Sequence, residues 1–564
     1  MRRIFPIAVL ALASSTFSKT ILDLQPSLQT HAISQGAFSA VLINLNTNIN
    51  SWYLLKLKWS DATPVTYFHL ENPRPLTSKL ILDNKYADGV VVEEGATRFL
   101  CDLFSGGGLA NPLDTGRKST QIYYPLCGGR ILLRNNAKGQ RSALETATEF
   151  LRTQVWGGER VIILFHHLLA DRYRETAKVA SPNYSSRTQE SLLDQPIPAL
   201  IDSSKSSRVA VPDQLGILFA QTESPASGMI PGAWYAAAGN SGVHISILQP
   251  DRIASSVMSS NKNLVNALDA VEAASLCYLI SFDLDHFELG YSRGTDYPGV
   301  GWSPRVLAKE KISGWDGPDG IGSIAPLIAT GLLGPYNGRR TVATFTGGFK
   351  RTHGAFRYGD LSQVNFGSHY GFIENGVVFS KLQPGLATIL VWQDARLELK
   401  TWTQADNQYL SKIRHARQNG VALVEFDSNT KSTIPGRLVS RWGPGNWSGS
   451  EDEKLRTIRG GLALQERQGK RFLIYAVFSS ATPSSMARVF QAYQCKFGML
   501  LDMNALEHTY LAYYRKAGSE MSIDHLLKGM SQLDKSESGR VIPRFLGYPD
   551  NRDFFFVMQR NKAK

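Results

Sequence analysis

The sequence predicts an α/β protein of the mixed α+β kind, with a mixed sheet and flanking helices in a C-terminal domain and a separate α/β region before it. Three observations predict this. Strand, helix and strand patterns succeed one another at 471–503, within the roughly 30 residues a βαβ crossover needs. Short apolar runs rich in β-branched and aromatic residues recur from residue 276 onward, each bounded by Gly, Pro, Asn or Asp. A stretch rich in serine, proline and charge at 181–213 interrupts the hydrophobic periodicity and reads as a linker.

The chain opens with Arg2 and Arg3, an apolar run from Ile4 to Ala13, and small residues at Ser14, Ser15 and Ser18. This is the order of a secretory signal, so residues 1–18 are expected to be removed and the protein to be secreted or periplasmic. No later segment reaches the ~18 apolar residues of a spanning helix, so no integral membrane segment is expected after signal removal. Residues 19–180 form an N-terminal region of no assigned role. Within it Ser142 and Glu145 have capping-box spacing before a helical face of Leu144, Ala147, Leu151 and Val155, closed by Gly157. The apolar run "RVIILF" follows as a strand, with His166 and His167 as polar groups at its end.

The C-terminal domain is expected over 214–564. "LCYLISFDL" and "TVATF" read as strands, "TILVW" and "RLELKTW" as a hairpin. The spacing of Leu410, Ile413 and Ala416 predicts a helix over 404–419, ended by Gly420 before a strand at "VALVEF". In the crossover unit Thr482 caps a helix with Pro483 at its first position, and Gly498 marks a break before the strand "MLLDM".

A net charge of +13 points to anionic partners. With no run of six like charges and no nucleic-acid motif, an envelope polymer or phosphosugar is expected rather than nucleic acid. Cys101, Cys127, Cys277 and Cys495 lack zinc-ligand spacing; Cys101 and Cys127 either pair or remain buried thiols. Nucleophile-elbow, P-loop, zincin and dinucleotide motifs are absent, and "FGSHYG" has histidine where the elbow needs serine.

Polar chemistry in sheets with parallel strands gathers beyond the carboxyl ends of the strands. Asp502 ends "MLLDM" and Asp427 ends "VALVEF", and Asp283 or Asp285 is expected to join them on one rim. Cleaving an acetal or phosphoacetal requires a proton for the leaving group and a base or anion for the cationic centre or water. Asp502, Glu507, His508 and Asp427 supply both. Gly347 and Gly348 after a strand allow a ligand close to the backbone, with Lys350, Arg351 and His353 beside them. Arg437, Arg441, Arg456 and Arg459 among glycines with Trp442 and Trp447 suit phosphate oxygens and sugar faces.

These residues resemble the phosphodiester glycosidase family, whose namesake is an N-acetylglucosamine-1-phosphodiester α-N-acetylglucosaminidase and whose bacterial members are exopolysaccharide-related. The resemblance spans residues 276–514, about two fifths of the chain. The family's Asn-Gly-Gly-Phe appears as Thr346-Gly347-Gly348-Phe349, and its glycine hairpin resembles "YGFIENGVVF". Its Arg-Thr-x-x-Gly resembles Arg456-Thr457-Ile458-Arg459-Gly460, and its Leu-Asp-Gly-Gly-Gly-Ser begins at Leu501-Asp502 but continues here as Met503-Asn504-Ala505. The resemblance implies an exported hydrolase of a sugar phosphodiester or related cell-envelope glycan. In it Asp502, Glu507, His508 and Asp427 are expected to act as catalytic groups, and Gly347, Gly348, Arg456, Arg459, His353 and Trp447 to hold substrate. The departures at Thr346 and after Asp502 leave a second reading, an inactive polysaccharide-binding or exopolysaccharide-assembly protein. No cofactor is expected; a divalent cation stays open, since Asp502, Glu507 and His508 are ligand types without ligand spacing. Oligomeric state is not legible.

Overall fold

The structure, a computed structural model, describes residues 20–60, 63–105, 111–141, 178–180, 194–205, 209–220, 228–299, 301–302, 308–311, 313, 328–350, 371–441, 455–517 and 520–561. The expected signal at 1–18, the helix from Ser142, the strand "RVIILF", and His166 and His167 lie outside them. The mixed α/β class holds broadly, with the balance far toward sheet; the longest α-helix among the described residues is Pro483–Ala492.

Near the N-terminus a six-stranded sheet runs in the order Gln29–Gln35, Phe38–Asn44, Trp52–Lys58, Thr66–Glu71, Ile131–Arg134, Tyr123–Leu126. Alternating residues such as Leu42, Tyr53, Leu55 and Leu57 share one apolar core with Val90 and Val92 of a three-stranded sheet. A Cys101–Cys127 disulfide joins the two sheets, while Cys277 and Cys495 are buried thiols.

The main sheet has eight strands, ordered Tyr235–Ala236, Val243–Leu248, Cys277–Asp283, Lys470–Ala481, Thr457–Arg467, Phe497–Met503, Ala422–Asp427, Ser432–Pro435, every pairing antiparallel. The strand–helix–strand unit is a crossover whose two strands run parallel but flank Thr457–Arg467 instead of pairing. Its helix starts where Thr482 accepts from the Ser485 N–H and Pro483 takes the first turn. The helix buries Met486, Val489 and Phe490 on one sheet face. Gly498 is not a break but lies inside the strand: a Cβ there would stand 2.9 Å from the Phe490 ring, and one at Gly461 2.8 Å from Met486. Among the described residues the other face carries no helix. It packs on a five-stranded sheet, Phe287–Ser292, Phe554–Gln559, Thr341–Thr346, Leu511–Ala517, Glu520–His525, with Phe345 and Tyr475 rings 4.7 Å apart.

Antiparallel order separates the strand-end acids. Glu425 pairs with Phe497, at the start of the Asp502 strand, and Asp283 pairs with Phe472, at the start of the strand parallel to it. Asp427, Asp283 and Asp285 therefore stand at the rim opposite Asp502, and the expected convergence does not occur.

In a further five-stranded sheet, Ala387–Trp392 and Leu397–Thr401 form the expected hairpin. "FIENGVVF" is another, turned by Asn375 and Gly376 at φ 50° and 81°, the backbone that two-residue hairpins favour. The helix expected over 404–419 is replaced by a 3-10 helix, Gln404–Lys412, and a strand, Ile413–Gln418. Pairing on both edges of that strand and a buried ion pair from Arg417 outweigh the local periodicity. Within 181–213, residue Ile197 is tied to the main sheet: its N–H donates to Gln465 Oε1 at 2.7 Å and its carbonyl accepts from Trp234 Nε1 at 2.9 Å.

A buried polar cluster clamps the N-terminal sheet to the rest. Arg134 reaches Glu71 at 2.6 Å and stacks on Trp52, Arg293 meets Glu374 at 3.0 Å, and Trp52 packs on Phe379. His69 accepts from Trp52 Nε1 at 3.1 Å. Burial, then Arg134 and Arg293, holds its pKa down at about 3 instead of 6.5. The folded state thus refuses a proton that the unfolded chain takes, so this contribution is complete above the unfolded value and lost as pH falls toward the folded one. Stability is expected to drop by about 2–3 kcal/mol between pH ~6.5 and ~4.5 from this group. His69→Asn, which keeps an acceptor for Trp52, is expected to flatten that part of a denaturant-versus-pH profile.

Candidate active site

The strand Phe497–Met503 ends by placing the partly exposed Asp502 carboxylate at the rim, where its Oδ1 accepts the Met503 N–H at 2.8 Å. Asn504, at φ 83°, turns the chain into a 3-10 helix, Leu506–His508, that carries Glu507 and His508 back toward it. The turn is anchored: Arg544 Nη1 donates to the Glu507 carbonyl at 2.7 Å, and Tyr475 OH to that of Thr509 at 3.0 Å. Burial, then the Asp502 charge, pushes the Tyr475 pKa up, which keeps it a neutral donor.

His508 Nδ1 lies 2.5 Å from the Met503 carbonyl and 3.8 Å from Asp502 Oδ2, and its Nε2 lies 3.4 Å from Glu507 Oε1. A carbonyl only accepts, so Nδ1 carries a proton. Across the second contact the His508 imidazole and the Glu507 carboxyl face each other, so a proton can pass between them. A proton donor and a carboxylate thus stand side by side.

The other wall comes from the strand Thr341–Thr346, which hands the chain to Gly347 and Gly348. A Cβ on Gly347 would stand 2.7 Å from the Asp553 carboxylate, and one on Gly348 would fall 2.1 Å from the Cβ of Asp502. Gly348 also has φ 108°, a backbone that side chains resist. Gly348→Ala is therefore expected to cost about 1–3 kcal/mol in strain and to displace Asp502, lowering both the melting temperature and any turnover.

The segment 550–553 completes the site. Arg552 Nη1 donates to the Gly348 carbonyl at 2.7 Å and lies 3.5 Å from Asp502 Oδ2. Asp553 accepts from the Phe349 N–H at 2.6 Å, Tyr291 OH at 3.2 Å and Arg417 Nε at 3.1 Å, with both charged side chains fully buried. Burial pushes the Asp553 pKa up, and Arg417 opposes it. Arg417 also donates to the Gly347 carbonyl and stacks on Phe349. Asp550 pairs with Arg544 through both oxygens, at 2.7 and 3.2 Å, and accepts the Arg552 N–H at 2.9 Å.

Of the residues singled out in the sequence, Asp502, Glu507, His508, Gly347 and Gly348 come together. Arg456 immediately precedes the strand beside Asp502 on the same rim, its side chain paired with Asp269 at 3.1 Å. Arg459 is buried and donates to the Ala481 and Leu455 carbonyls, both at 2.8 Å, so it braces the rim. Asp427 lies at the opposite rim, half-buried. There it accepts the Asn429 N–H at 2.9 Å, which lowers its pKa, and Thr430 Oγ1 at 2.9 Å. That is the geometry of a turn cap. His353, Trp442, Trp447 and Arg351 lie outside the described residues. Arg417, Arg544, Asp550, Arg552 and Asp553 were missed; the polar tetrad "DNRD" immediately before the apolar run "FFFVM" was the available signal. Among the described residues no group of three or more His, Cys, Asp or Glu is placed to hold a metal ion.

No family model and no curated protein matches this chain. Among solved structures, it is similar to the catalytic domain of zebrafish N-acetylglucosamine-1-phosphodiester α-N-acetylglucosaminidase, auto-inhibited by its pro-peptide. The identity is 10% and the TM-score 0.30, over 69% of this chain and 97% of that one. At that level no residue role transfers from one to the other.

Proposed function

We propose that the protein is an exported hydrolase that cleaves a sugar phosphodiester, or a related envelope glycan, by acid–base catalysis at Asp502. One observation carries the reading. The two glycosidase-like motifs, Gly347-Gly348 and Leu501-Asp502, lie more than 150 residues apart in sequence, yet the Asp502 side chain fills the space a Gly348 Cβ would need.

In this reading the bond broken joins the anomeric carbon to the phosphate oxygen. Water adds its hydroxyl to the carbon, and the phosphate leaves as a monoester with the electron pair of the bond. Asp502, facing Arg552 at 3.5 Å, steadies the cationic sugar or takes the proton from water. His508 or Glu507, 3.4 Å apart, supplies a proton to the departing oxygen where protonation is needed. A phosphate monoester leaves more readily than an alkoxide, so cationic contact from Arg552, with Arg456 at the same rim, carries more weight than proton donation. Met503-Asn504-Ala505 in place of three glycines narrows the approach to the backbone, and a binding protein without turnover is the alternative outcome. The test is release of aryl phosphate from an aryl phosphodiester of α-N-acetylglucosamine by the purified mature protein. Release that exceeds hydrolysis of the plain aryl α-glycoside is expected; saturable binding of the diester without any release would favour the alternative.

A further inference from the structure

The main sheet has a second polar end. At the rim opposite Asp502, the turn at 239–242, the start of Val243–Leu248, the end of Cys277–Asp283 and residues Asp194 and Lys470 enclose a cavity of about 600 Å³. It lies beyond Phe497, five residues before Asp502 in its strand, so about 17 Å along the sheet at ~3.3 Å per residue.

His244 lines this cavity and is directly opposite Ser281 in the antiparallel register, which puts both side chains on one face. His244 is only 5% exposed and Ser281 fully buried. The Nδ1 of His244 and the Oγ of Ser281 are both buried without a hydrogen-bond partner among the described residues. Leaving such a group unpaired costs about 1–3 kcal/mol; the His244 ring reaches the cavity, and Ser281 is its buried cross-strand neighbour. Burial lowers the His244 pKa to about 4, so the ring is neutral.

The surrounding groups narrow the ligand. Asp283, almost wholly buried, lines the cavity with one oxygen used by the Asp285 N–H at 2.9 Å. Lys470 and Asp194 pair across the mouth, so the walls keep a net acceptor character that disfavours an anion. Ala236 and Ala237 leave width. The Asp283 carboxylate, the neutral His244 imidazole and the Ser241 hydroxyl in one small-walled cavity match a ligand that brings several hydroxyl donors and no charge.

We infer that this cavity binds a neutral hydroxylated ring, the chemistry of a single sugar residue, as a second carbohydrate site independent of Asp502. The inference does not rest on the proposed reaction. The test uses protein labelled at histidine Cε1, with the His244 signal assigned from His244→Phe, titrated with glucose, N-acetylglucosamine, glycerol and inorganic phosphate. The expected result is a saturable movement of the His244 signal with at least one of the two sugars, and none with glycerol or phosphate. Asp502→Asn is expected to bind as the parent does, which separates this site from the reaction. Ala236→Leu, which fills the cavity from the position directly across the strands from His244, is expected to weaken sugar binding at least about tenfold, the loss of one good contact. No saturable movement with either sugar, equal movement with glycerol, preference for phosphate, or unchanged affinity in Ala236→Leu would overturn the inference.

Discussion

Asp502→Asn is expected to lower kcat/KM on the aryl phosphodiester by about 10²–10⁴-fold, the usual contribution of a positioned acid or base. Asparagine keeps an oxygen for the Met503 N–H, 2.8 Å away in the parent, so the turn that carries Glu507 and His508 is retained. What disappears is the negative charge facing Arg552. Arg552 keeps its bond to the Gly348 carbonyl, and Asp502 is partly exposed, so the melting temperature is expected to move little. Loss of activity at constant stability would mark Asp502 as chemical; parallel loss of both would mark it as a strut between two walls.

The largest effect on stability is expected at Arg417 and Asp553. Both side chains are wholly buried and paired at 3.1 Å. Arg417→Met leaves a carboxylate in the core facing Tyr291 and the Phe349 N–H, with no cation to offset its desolvation. Removing one partner of such a pair costs about 3–5 kcal/mol. Burial already pushes the Asp553 pKa up with Arg417 present, so in the variant Asp553 is expected to take a proton. Arg417→Met/Asp553→Leu replaces both charges with apolar volume and is expected to recover much of the loss, as buried pairs exchanged for apolar groups do. Chemical denaturation of the two single variants and the double variant gives the coupling. Turnover is expected to stay low in the double variant, because Arg417 also holds the Gly347 carbonyl.

How much of this was legible depended on whether the cause was local. The crossover announced itself through Thr482, Pro483 and two apolar runs, and the hairpin at 387–401 through alternation and a turn. Gly347, Gly348 and Asp502 were legible as strand-end positions, and the structure brings Gly348 against Asp502. The strand Ile413–Gln418 was not, because Leu410, Ile413 and Ala416 also satisfy helical spacing. What decides it is a partner for Arg417 that lies 136 residues away. The acids misled for the same reason: Asp427 and Asp502 both end strands, and only the order of pairing reveals that the strands point in opposite directions. The Arg544–Asp550 pair and the Arg552–Gly348 contact likewise join segments whose meeting no short-range pattern records.

The most direct test of the central claim is to run the phosphodiester reaction in ¹⁸O-labelled water and find where the label goes. Cleavage between the anomeric carbon and oxygen, with Asp502 facing the sugar, predicts label in the released N-acetylglucosamine and none in the aryl phosphate. Label in the phosphate would mean attack at phosphorus and would contradict the role given to Asp502, and absence of turnover would contradict the hydrolase itself.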